Sequence, residues 1–80
     1  MSENISNNAL ILAILSLNSE IAIQQDYLES GEVPEDEVVD EQDVLADLEQ
    51  AFMEFVDFYK ARTKQDKTLP SIEELLSGQD

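Results

Sequence analysis

The chain has 80 residues, of which 19 are Asp or Glu and four are Lys or Arg, giving a formal net charge of −15. So strong a negative charge is repelled by nucleic acid and anionic membranes, which argues against direct binding to either. Cysteine and histidine are absent, so the sequence holds no disulfide framework, no thiolate metal site and no imidazole base or metal ligand. A chain of this length makes a single small domain.

An apolar segment near the amino terminus predicts a first helix over residues 6–30. Ser6 or Asn7 can cap its start, and Gly31 is a natural residue to follow its end. One apolar stripe consists of Leu10, Ala13, Ile14, Leu17, Ile21 and Leu28. Further apolar residues lie on other sides, so the helix must be buried on more than one side. We therefore expect two copies to form a four-helix bundle and a homodimer. The residues expected at that contact are Ile11, Leu12, Leu15, Ala22 and Phe58.

The same apolar segment raises the question of a membrane span or a signal peptide. Residues 9–15 are uninterruptedly apolar, which is far short of the roughly 20 residues that a spanning helix needs. Glu3 precedes the segment, where a secretory signal has basic residues. We expect a cytoplasmic protein that does not bind membranes.

A polar connection over residues 31–36 leads to a second helix over residues 36–66. Pro34 suits a first helical position, and acidic residues after it favour the positive end of the helix dipole. The apolar positions recur at three- and four-residue steps: Val44, Leu45, Leu48, Ala51, Phe52, Phe55, Val56 and Tyr59. Phe58 lies in line with Val44 and Ala51 at the flank of this stripe, where a second subunit could contact it.

A short third helix is predicted over residues 71–77. Pro70 ends the preceding helix, and Ser71 with Glu74 forms a capping box. The fold class that follows is all-α, an antiparallel helical hairpin with a short C-terminal helix, in one domain over residues 1–80 that dimerises into a bundle.

Charge is the strongest signal in the sequence. Residues 1–59 contain fifteen acids and no base, whereas the four acids and four bases of residues 60–80 cancel. The acids expected to bind a partner are Glu32, Glu35, Asp36, Glu37, Asp40, Glu41, Asp43 and Asp47. Such a surface can serve solubility alone, but a small domain needs a net charge of only about 2–8 for that. We therefore expect it to dock on a basic protein.

No arrangement in the sequence points to catalysis or to a bound metal. An EF-hand loop starting at Asp36 or Asp40 fails at its ligand positions, and no glycine lies where the loop requires one. We expect a non-enzymatic protein without cofactor or metal. The function predicted is docking on a basic protein, such as a nucleic-acid-binding protein that the chain inhibits or towards which it mimics DNA. The alternative is an assembly or adaptor subunit that works through the apolar surface of the first helix.

Overall fold

The computed structural model describes residues 5–78. These residues form three α-helices and one 3₁₀ turn: α1 (Asn7–Glu29), the 3₁₀ turn (Glu35–Glu37), α2 (Val38–Gln65) and α3 (Ile72–Ser77). α1 and α2 pack against each other over much of their length, and they run antiparallel. The prediction of an all-α fold built on a long helix pair is confirmed. Each helix begins and ends within two residues of its predicted bounds.

Local hydrogen bonds fix both ends of α1. The Ser6 side chain accepts from the backbone N–H of Ala9 (3.0 Å), which satisfies one amide of the first turn. At the other end, the backbone N–H and the hydroxyl of Ser30 both donate to the carbonyl of Tyr27. Gly31 follows with a φ of +79°, a left-handed conformation that costs glycine little, and turns the chain out of the helix.

The 3₁₀ turn runs directly into α2. The backbone N–H of Glu37 donates to the carbonyl of Pro34 (2.8 Å), so Pro34 precedes the turn where a proline ring fits. Asp40 and Glu41 lie in the first turn of α2, and Arg62 and Lys64 in its last. This order of charge complements the helix dipole at both ends.

Asp66 ends α2. Its carboxylate accepts from the hydroxyl and the backbone N–H of Thr68 (2.5 and 3.0 Å). These hydrogen bonds favour the charged carboxylate and lower the pKa of Asp66. The chain is thereby turned towards Pro70 and α3.

α3 is held by its cap and by one hydrogen bond from α2. Ser71 and Glu74 form the predicted capping box, in which each side chain accepts from the backbone N–H of the other residue (3.1 and 2.8 Å). The Tyr59 hydroxyl donates to the carbonyl of Pro70 (2.6 Å) and ties α2 to the start of α3.

The core lies at one end of the hairpin, where α3 packs. Within residues 5–78, the fully buried hydrophobic side chains are Leu10, Ile14 and Tyr59. The partly buried residues that pack against them are Ile11, Phe52, Phe55, Val56, Leu69, Ile72, Leu75 and Leu76. Between residues 15 and 58, all of which the structure describes, no residue is fully buried. The half of the hairpin that leads to the 3₁₀ turn therefore has no core of its own.

The molecule is elongated and flat. It measures 47 × 32 × 15 Å with a radius of gyration of 15.1 Å, against about 11.6 Å for a compact domain of this length. Its accessible surface is 5654 Å², about 800 Å² more than expected for a compact monomer of its mass. The two long helices make a layer that is largely open on both faces.

Candidate protein-binding surface

The eight carboxylates predicted to bind a partner lie at one end of the hairpin, in the connection and the first ten residues of α2. They are Glu32, Glu35, Asp36, Glu37, Asp40, Glu41, Asp43 and Asp47, and we call them the acidic end. Seven are exposed, and Glu41 is partly buried. Because residues 1–59 contain no Lys or Arg, the segment that forms this end supplies no cation to neutralise them. The fold keeps the predicted residues together and presents most of them to solvent.

Local backbone features fix the conformation of the connection that carries the first of these acids. The backbone N–H of Glu32 donates to the Ser30 hydroxyl (3.0 Å), just after the left-handed Gly31. The 3₁₀ turn then places Glu35, Asp36 and Glu37 in succession around one turn of backbone. Their side chains are exposed and point in different directions, because successive residues of a 3₁₀-helix are about a third of a turn apart.

Glu41 differs from the rest of the acidic end. The side-chain amide of Gln24 on α1 donates to the Glu41 carboxylate (2.7 Å) and to its backbone carbonyl (2.9 Å). This pair links the two long helices in the half of the hairpin that lacks a buried core. Glu41 therefore has a bracing role in addition to any role in partner binding.

α2 continues the acidic surface beyond the connection. Asp40, Asp43, Asp47 and Glu54 fall within about 60° of one another around the helix and are all exposed. These four carboxylates lie over about 21 Å of helix axis, or one per about 5 Å, which is wider than the roughly 3.4 Å per phosphate along one strand of DNA.

The basic residues lie at the opposite end of α2, about 40 Å from the connection. Lys60, Lys64 and Lys67 are exposed. Arg62 is partly buried, and its Nη1 donates to the Ile5 carbonyl (2.5 Å) and to Asn7 Oδ1 (3.0 Å). Its guanidinium also lies 5.1 Å from the centre of the Phe58 ring, within cation–π range. Arg62 thus joins the end of α2 to the start of α1, a contact that the sequence pattern did not suggest.

The residues predicted for self-association differ in how far they are buried within one chain. Leu12 and Ala22 are exposed on α1, whereas Leu15 is partly buried. Ile11 packs against the protein's own core cluster. Phe58 is 44% exposed on α2, beside Arg62. Ile11 therefore already has apolar neighbours within one chain.

Several apolar side chains on the two long helices are exposed, among them one that was placed in an apolar stripe. Val44, placed in the apolar stripe of the second helix by its spacing, is 44% exposed. Ile23 and Met53 are each 60% exposed, and Val39 is 67% exposed. A helical periodicity identifies the face of a helix, but it does not show how much of that face the next helix covers.

Neither a metal centre nor a membrane span is indicated in the part of the chain that the structure describes. No group of three or more acidic side chains there is arranged to hold a metal ion. None of its helices is both long and apolar enough to cross a membrane. Compared with models of protein families, with curated proteins and with solved structures, the chain has no significant match. A functional interpretation depends on the surface itself.

Proposed function

We propose that this chain is a non-enzymatic protein-binding module that docks on a basic protein through its acidic end. The observation that carries the proposal is the exposed run of carboxylates without neighbouring cations at the connection and the start of α2. Like charges held this close repel one another and destabilise a small fold. A basic partner neutralises these carboxylates and removes their mutual repulsion, which favours the complex over the free protein.

The basic partner that best fits this surface is a nucleic-acid-binding protein. Proteins of that class place Lys and Arg side chains along the path of a phosphate backbone. α2 offers four exposed carboxylates on its outward stripe, Asp40, Asp43, Asp47 and Glu54, which face the same way over about 21 Å of helix axis. We therefore propose that the chain occupies such a site, acts as a DNA mimic and inhibits its partner.

The test compares three baits in capture from a lysate of the source cell. The first is the unchanged chain, and the second carries Asp36→Asn, Glu37→Gln and Asp43→Asn at the acidic end. The third is a control with the same loss of charge at exposed acids elsewhere: Glu20→Gln, Glu49→Gln and Asp57→Asn. Glu41 is left unchanged because it accepts from Gln24.

The proposal predicts a basic protein that the unchanged chain and the control retain and that the acidic-end variant loses. Three exposed charge pairs at about 0.5 kcal/mol each correspond to an affinity lower by about tenfold. Equal retention by all three baits would contradict docking through the acidic end. Release of the captured protein by added DNA would support mimicry, and retention in saturating DNA would contradict it.

We also propose that the chain is a cytoplasmic homodimer. Self-association is supported by the surface in excess of a compact monomer and by the lack of buried residues between positions 15 and 58.

A second candidate function is that of an assembly or adaptor subunit that works through α1. Leu12 and Ile23 favour it, since they are 54% and 60% exposed on that helix. Leu12→Asp and Ile23→Asp would then abolish partner capture while the acidic-end variant retained it. The reverse pattern would exclude this candidate.

A further inference from the structure

One row of apolar residues on α2 has equally exposed side chains at equal distances on either side of its central residue. Val44, Ala51 and Phe58 follow one another at seven-residue steps, so they lie nearly in line along about 21 Å of the helix. Val44 and Phe58 are both 44% exposed, and Ala51, the smallest of the three, is partly buried between them. Ala51 also lies at the middle of α2, which spans Val38–Gln65.

The two halves of α2 differ in net charge. Its first half, residues 38–51, carries five acids and no base. Its second half, residues 52–65, carries two acids and three bases. Two such helices placed side by side in the same direction would set acids against acids. Placed antiparallel, each acidic half lies against the half of the other helix that holds the bases.

We propose that two copies of this chain associate through α2, antiparallel and about a two-fold axis at Ala51. The proposal rests on the self-association proposed above and names the surface that forms it. Ala51 of one copy meets Ala51 of the second copy, which lets the helix axes approach to about 8 Å. Val44 of each copy then faces Phe58 of the other.

The same register brings opposite charges together at both ends of the contact. Residues equally far from Ala51 face each other, so Asp40 of one copy lies opposite Arg62 of the other. The Nη1 of Arg62 contacts Ile5 and Asn7, but a guanidinium has five N–H donors in all. The pair occurs twice in a two-fold dimer. In this arrangement Asp40 is neutralised by the second copy, and Asp47 and Glu54 lie at the contact. Docking of a basic partner is then left to the acids of the connection and to Asp43, which stay exposed.

The contact covers apolar surface that one chain leaves open, since Val44 and Phe58 are each 44% exposed. One term opposes association: Asp47 of one copy lies beside Glu54 of the other, and their like charges repel. In this arrangement Glu54→Gln tightens the dimer.

The register can be tested by single-cysteine cross-linking, because the natural chain contains no cysteine. Ala51→Cys is expected to form a disulfide-linked dimer on mild oxidation. Val44→Cys and Phe58→Cys are each expected to remain monomeric on a denaturing gel, since like positions are about 21 Å apart. When the two are mixed, with one carrying a size tag, they are expected to cross-link to each other. Met53→Cys, on the other side of α2, is the control and is expected to stay unlinked.

Each other outcome contradicts the proposal in a recognisable way. Val44→Cys linking to itself would show a parallel contact, and Met53→Cys linking would place the contact on another face. A dimer in sedimentation whose Ala51→Cys variant does not cross-link would refute this surface while leaving self-association standing. A monomer for the unchanged chain at all concentrations would refute both. Circular dichroism of every variant confirms that the helices remain.

The charge pairing has its own test. Removing any acid from so negative a chain lowers general repulsion and favours association. Asp40→Asn is nevertheless expected to weaken the dimer severalfold in sedimentation equilibrium, whereas the control Glu49→Gln, on the other side of α2, is expected to leave it unchanged or tighter. A tighter dimer for Asp40→Asn would refute the pairing with Arg62.

Discussion

The concentration of the core at one end of the hairpin can be tested with a matched pair of substitutions. Ile14 and Ile21 are the same residue type, seven positions apart on the stripe of α1 that faces α2. Ile14 is fully buried, whereas Ile21 is only partly buried. Ile14→Ala and Ile21→Ala change helix propensity by the same amount, so the difference between them reports packing alone.

The expected magnitudes differ clearly. Truncating a buried isoleucine costs about 2–5 kcal/mol, because it removes apolar contacts and leaves a cavity. At Ile21, which is only partly buried, water can enter the space, so the loss is limited to part of a transfer energy of roughly 1.5–3 kcal/mol, or about 1–2 kcal/mol. A chain of 80 residues has a total free energy of unfolding of about 4–12 kcal/mol. Ile14→Ala therefore removes a large share of it.

The assay is urea unfolding followed by circular dichroism, with all variants at one protein concentration because self-association adds to stability. We expect a much larger decrease in the midpoint for Ile14→Ala than for Ile21→Ala, with similar slopes. Equal decreases, or a larger one for Ile21→Ala, would show that the half of the hairpin near the 3₁₀ turn is as well packed as the half near α3.

Three further substitutions test local features. Gly31→Ala is expected to cost about 1–2 kcal/mol in thermal or urea unfolding because of its φ of +79°, whereas Gly78→Ala, with a φ of −81°, should be neutral or stabilising; equal effects would contradict this. Tyr59→Phe should cost about 0.5–1.5 kcal/mol at neutral pH by removing the hydrogen bond to Pro70. Burial, followed by the charges of Glu74 and Asp66, raises the pKa of the Tyr59 hydroxyl, so its contribution is present below the unfolded pKa of 10.0 and is lost as pH rises through the folded value. Unfolding curves of the two proteins should therefore converge above pH 10, and a constant difference would refute that reasoning. Ser71→Ala removes one half of the capping box and should lower stability by about 1 kcal/mol, with no loss contradicting the cap.

Local signals in the sequence predict much of this fold. The caps at Ser6 and Ser71 and the turn at Gly31 are short-range features whose chemistry is complete within a few residues, so the helix bounds follow closely. Tyr59 was likewise assigned to the apolar stripe by its spacing, and it is fully buried. These positions depend little on the rest of the chain.

What the sequence did not predict depends on distant parts of the chain. α3 packs at one end of the hairpin, so Ile14 is buried and Ile21 is not, although both have the same spacing on the same helix. Arg62 lies in the last turn of α2, where a cation complements the helix dipole, yet it also contacts Ile5 and Asn7 near the start of the chain. The acidic end was recognisable because charge is read directly from the sequence. The sequence did not show that Glu41 braces the two helices, in contrast to the exposed acids around it. That depends on the position of Gln24, which lies on the other helix.

The most direct test of the proposed function is the salt dependence of the dissociation constant for the captured basic protein. Binding by fluorescence or calorimetry would be measured at several salt concentrations, with the unchanged chain and with the variant Asp36→Asn, Glu37→Gln, Asp43→Asn. Docking through exposed charges predicts affinity that falls steeply as salt rises, and a shallower dependence for the variant. An affinity that salt leaves unchanged, with the same value for both chains, would contradict the claim that the acidic end binds the partner.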